Sequence, residues 1–102
     1  MAVNDTVEVP DYLLSSFCMV QCAFPNGIGA DDYYPLLAVL SEEMSFRALA
    51  GVVAAVTGKD PLFVYHDALG ANSSKRPNAA DVARIKQLLT PCGYEDWLKE
   101  LE

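Results

Sequence analysis

The stretch Phe24–Leu40, FPNGIGADDYYPLLAVL, decides the fold. Pro25-Asn26-Gly27 stops one helix, because asparagine and glycine tolerate the left-handed geometry of a helix end. Ala30 to Tyr33 opens the next. Asp31 and Asp32 are placed there to cap free N–H groups and to favour the positive end of the helix dipole. Pro35 is compatible with this helix only if it falls in the first turn. Leu36 to Leu40 is apolar on every side, which predicts a second helix that is central and buried all round. The whole stretch reads as a helix-turn-helix hairpin within a compact bundle.

Upstream, Pro10 or Asp11 opens a first helix. Leu13, Leu14, Phe17, Cys18, Met19, Cys22, Ala23 and Phe24 recur mostly at three-to-four spacing, with Ser15, Ser16 and Gln21 on the wetter side. Residues 1–9 have no clear period and read as a flexible leader. Downstream, Ser45 caps a third helix with the stripe Phe46, Leu49, Ala50, Val53 and Val56, and Gly58 stops it. Asp60-Pro61 is a cap and first turn for a fourth helix that ends at Gly70. Asn78 caps a fifth with the stripe Val82, Ile85, Leu88 and Leu89, and EDWLKEL forms a last helical turn with Trp97, Leu98 and Leu101 docking back. The pattern predicts an all-α fold: a single domain over residues 10–102, built as five short α-helices plus a short C-terminal helical turn.

Length and composition agree with this. At 102 residues the chain makes one domain, and a 52% hydrophobic fraction fills one core with apolar residues to spare. The net charge is −7, and all of it lies in one half. Met1 to Phe46 holds seven acids and no base, whereas Arg47 to Glu102 holds seven of each. A polyanion is repelled by the first half, so nucleic acid is not expected as its partner, and a basic protein surface is compatible with it. Solubility alone also accounts for such a charge. No apolar run approaches the ~20 residues of a membrane span, and Met1 to Pro10 has no basic start of a signal peptide. Three reduced cysteines in a cytoplasmic protein are the simplest account of the odd count.

Two signatures resemble a known family. One is FPNGIGADDYYPLLAVL; the other is Pro77-Asn78-Ala79-Ala80-Asp81-Val82-Ala83-Arg84-Ile85, closing at Cys92-Gly93-Tyr94. Their order and separation resemble the small actinobacterial, mostly mycobacterial, domain of unknown function numbered 3349, over about residues 17–97. The resemblance implies a monomeric bundle of five short helices and carries no activity or site residue. Phe63-Val64-Tyr65-His66 is more aromatic than that pattern.

No constellation of residue types commits the chain to catalysis. Cys18 and Cys22 lie one turn apart on one helix face, but without a finger-like spacing they read as small core residues, not as metal ligands. Asp67 beside His66 points about 100° away from it, which is poor geometry for orienting a catalytic imidazole. Asp31-Asp32 sit side by side and do not face each other across a cleft, so capping explains them better than acid-base work. The glycine pair Gly27 and Gly29 lacks the preceding strand of a phosphate-binding loop. No cofactor and no metal is expected. The leading reading is a non-enzymatic protein-interaction module with an acidic or aromatic surface drawn from Asp31, Asp32, Tyr33, Tyr34, Glu42, Glu43 and Tyr65. The second is a carrier of a small apolar ligand lined by Phe17, Met19, Leu37, Phe63 and Tyr65.

Overall fold

The structure, a computed structural model, describes residues 9–100. The leader expected at residues 1–9 lies outside them save for Val9, as does Leu101 of the expected tail. The described residues form an all-α bundle with no strand: α1 Leu14–Ala23, α2 Ala30–Ser41, α3 Phe46–Thr57, α4 Pro61–Ala71, α5 Ala79–Leu89 and α6 Tyr94–Glu100. A 3-10 turn, Asp11–Leu13, precedes α1, and another, Thr90–Cys92, leads into α6.

Local chemistry sets most boundaries. Ser45 Oγ accepts from the Ala48 N–H at 3.1 Å, Asp60 Oδ1 from Leu62 at 2.8 Å and Asn78 Oδ1 from Asp81 at 2.8 Å, as the cap residues predict. Gly58 ends α3 at φ 79°, a left-handed conformation that side chains other than glycine resist. The start of α2 differs from expectation. Gly29 is its N-cap, and no side chain caps it. Asp31 and Asp32 lie in the first turn, where they still face the positive end of the dipole.

Pro35 sits in the second turn of α2, inside the helix. Its ring nitrogen cannot donate to the Asp31 carbonyl one turn back. Arg84 of α5 supplies the missing donor, its Nη2 reaching the Asp31 carbonyl at 3.3 Å. A tertiary contact therefore makes the proline tolerable beyond the first turn.

Helix α2 is the centre of the bundle, with Leu36, Leu37, Val39 and Leu40 fully buried. It packs against α3, α4 and α5. The expected hairpin between the first two helices is corrected: α1 packs chiefly against α3, α5, α6 and the turn before α6. The link from Phe24 to Gly29, which turns at Pro25-Asn26 with Gly27 at φ 95°, lets the two helices find different partners. The closest sequential pair is α3 with α4, where the chain bends by 119°.

Two polar features of α1 also depart from expectation. Ser16 is 2% exposed, not on the wet side, because it accepts from the indole Nε1 of buried Trp97 at 2.6 Å. A buried indole N–H needs such a partner. Cys22 is bonded to Cys92, and both Cys18 and Cys22 are exposed. The expected reduced, buried thiols are thereby overturned. The packing of α1 on α5 and its following turn brings together two sulfurs 70 residues apart in sequence.

Candidate interaction surface

The acidic residues of α2 face the basic residues of α5. Asp32 pairs with Arg84, and Glu42 pairs with Lys86 at 3.3 Å. Arg84 also lies 3.6 Å from Asp81 on its own helix. The hydrogen bond that Arg84 donates to Asp32 holds the guanidinium pKa above its ordinary value, with burial working the other way. Asp31 and Glu43 are exposed and have no ion pair among the described residues. The acidic surface is thus half neutralised by the one helix whose bases are spaced to meet it.

Tyr33 and Tyr34 are brought together with a residue that sequence reading set aside. The Tyr33 hydroxyl donates to Asp67 Oδ2 at 2.6 Å, and the Tyr34 hydroxyl to Oδ1 at 3.3 Å. Their rings meet edge to face at 5.3 Å. Lys59 Nζ lies 5.0 Å from the Tyr33 ring centroid, and Lys75 Nζ 6.0 Å from that of Tyr34. Burial first, then the hydrogen bond and charge of Asp67, push the Tyr33 hydroxyl well above the ordinary tyrosine pKa. Tyr34 moves the same way, by burial and then by the Asp67 charge. Both hydroxyls are held protonated as donors, which suits a joint between α2 and α4 and not a base or nucleophile. Asp67 is turned toward these tyrosines, so it does not orient His66.

Tyr65 is half-buried against Phe46, the rings 6.2 Å apart and nearly perpendicular. With Arg47, Ala50, Pro61 and Leu62 it lines a shallow apolar cleft between α3 and α4. This cleft opens onto the outer side of α4. At 100° per residue, Val64, Ala68 and Ala71 share one side of that helix and are buried. The opposite arc runs through Tyr65, Leu69, Leu62, His66 and Phe63. Leu62 is 61% exposed, Phe63 64% and Leu69 40%. No acid or base lies on this arc except exposed His66. Sequence reading missed the exposure of Leu62, Phe63 and Leu69. The signal was present, since α4 has no polar stripe to mark a wet side.

The residues proposed to line a ligand space do not converge. Leu37 and Met19 lie in the core, Phe63 stands in solvent and Tyr65 lines the α3–α4 cleft. Among the described residues no three of histidine, cysteine, aspartate and glutamate form a group able to hold a metal ion. No single helix among the described residues is long and apolar enough to cross a membrane. No family model matches the chain, and neither a curated protein nor a solved structure does.

Proposed function

We propose that the protein is a non-enzymatic interaction module that docks another protein on the outer face of α4. The observation that carries this reading is the solvent exposure of Leu62 and Phe63 on a helix arc that holds no acid and no base but His66. Exposed apolar surface gathered on one element marks a binding face, whereas scattered exposed side chains do not. Tyr65 lines the cleft beside this face, whereas Asp32 and Glu42 are engaged with α5. Site-specific photo-crosslinking in host cells tests it. A crosslinker at position 63 should capture a defined partner that the same group at Glu43 does not. Equal capture from both positions, or none from position 63, refutes the docking face.

The expectation of a cytoplasmic protein draws only part of its support from reduced cysteines. The Cys22–Cys92 bond removes that support and favours an oxidising compartment. Alkylation of host-cell protein before and after reduction tests this: one thiol per chain at first and three afterwards are expected, from Cys18 free and Cys22 and Cys92 bonded. Three reactive thiols without reductant would restore the cytoplasmic reading. Membership of the actinobacterial family is likewise a proposal resting on the two motifs.

A further inference from the structure

Resting on the reading of α4 as a docking face, we propose that its partner is an amphipathic helix with acidic residues flanking its apolar stripe. The face supplies both halves of that chemistry. Leu62, Phe63 and Leu69 lie within one broad arc and give an apolar track along the helix. A partner helix reads such a track with apolar residues at i, i+3, i+4 and i+7. At the edge of the track stands Arg47, which shares the cleft with Leu62 and Tyr65. Arg47 is exposed, and no carboxylate pairs with it among the described residues. Of the other bases, Arg84 and Lys86 are paired with carboxylates, and Lys59 and Lys75 lie against tyrosine rings. Arg76 and Lys99 are exposed and unpaired among the described residues, but neither lines this cleft. A guanidinium beside an apolar cleft selects a carboxylate, because its planar fork matches a carboxylate and its stem packs on apolar surface.

Charge also argues against a second copy of this chain as the occupant. Two copies joined face to face on a two-fold axis bury the same patch on both sides. That brings Arg47 of each copy to one interface with no acid from the arc to offset it.

The test uses the whole protein and two synthetic helical peptides. Both carry leucine and phenylalanine at i, i+3, i+4 and i+7; one has glutamate flanks and the other lysine flanks. Fluorescence anisotropy at low salt should show the glutamate peptide binding about tenfold more tightly, the difference between an attractive and a repulsive rim contact. Arg47→Glu should reverse that preference. Phe63→Ser should weaken both peptides by about tenfold or more, with the far-ultraviolet circular dichroism spectrum unchanged. Equal binding of the two peptides, unaltered by Arg47→Glu but lost in Phe63→Ser, overturns the acidic partner and leaves the docking face standing. Binding that survives Phe63→Ser, or no binding of either peptide, overturns both. A concentration-dependent dimer in sedimentation that Phe63→Ser abolishes assigns the face to a second copy and overturns the proposal. Uptake onto phosphatidylglycerol vesicles that is lost in Phe63→Ser assigns it to lipid, with the same consequence.

Discussion

Helices α2 and α4 are close in length, and neither has a polar stripe, yet α2 is the centre of the bundle and α4 lies at its surface. The difference lies in what the rest of the chain offers each. Helix α2 is wrapped by α3, α4 and α5, and its Asp32, Tyr33 and Tyr34 are met by Arg84 and Asp67. Helix α4 is met on one side only. Its outer arc keeps leucine, phenylalanine and tyrosine where a surface helix of a bundle usually carries charge. A helix without a polar stripe therefore has two meanings, and only the tertiary neighbours separate them.

The largest expected effect separates the two helices by stability. Leu37→Ala should cost about 2–5 kcal/mol, because it empties fully buried volume at the centre. Urea denaturation followed by circular dichroism measures it. A cost below about 1 kcal/mol would mean that α2 is not packed as described.

The joint between the helices comes next. Asp67→Ala removes the acceptor of both Tyr33 and Tyr34 and should cost about 1–3 kcal/mol, since the buried Tyr33 hydroxyl loses its partner. The same tyrosine gives a pH signature. Its folded pKa is raised above the unfolded value of 10.0. The stability it contributes is complete below about pH 10 and is lost as the pH rises beyond that, because only the unfolded tyrosine then ionises. Absorbance near 295 nm should show one tyrosine ionising together with unfolding. Ionisation of every tyrosine in a still-folded protein would break the joint.

Smaller again is the link from α5. Arg84→Met should cost about 0–1 kcal/mol, since the pair with Asp32 is partly exposed, at 42% for the arginine side chain and 24% for the aspartate. Loss of the donor to the Asp31 carbonyl adds to this only if water cannot replace it. Pairing Arg84→Met with Pro35→Ala sharpens the point. Alanine restores a backbone N–H for the Asp31 carbonyl, so the arginine substitution should cost less in the Pro35→Ala background. Equal costs in both backgrounds would mean that the arginine does not compensate for the proline.

These particulars show what was legible in the chain. Caps at Ser45, Asp60 and Asn78 and the stop at Gly58 depend on residues within one turn, so they could be read directly. The all-α class follows from the same signals. Tyr33, Tyr34 and Tyr65 could be singled out by type as candidates for a surface, but the groups they touch within the chain could not. Asp67 is 34 residues from Tyr33, Arg84 is 52 from Asp32, and Cys92 is 70 from Cys22. Such pairings depend on which helices pack, and periodicity fixes a helix's apolar side without naming its neighbour. Ser16 was misplaced for the same reason. Nothing local shows that a tryptophan 81 residues away will donate to it.

The smallest expected effect is the sharpest contrast with α2. Phe63→Ser should change stability by no more than about 0.5 kcal/mol in either direction, because a side chain already 64% exposed gains little burial on folding. Burial of a phenylalanine is worth about 1.5–3 kcal/mol, so a structural Phe63 would give itself away in the same urea titration that measures Leu37→Ala. Serine also removes apolar surface from water, which should raise solubility at high concentration. A loss approaching that of Leu37→Ala would place Phe63 inside a packed interface, whether within the chain or with a second copy. Repeating the titration at two protein concentrations distinguishes these cases, since only stability drawn from a second copy rises with concentration. Near-neutral stability together with lost peptide binding is the outcome in which α4 keeps its apolar arc for a partner and not for the fold.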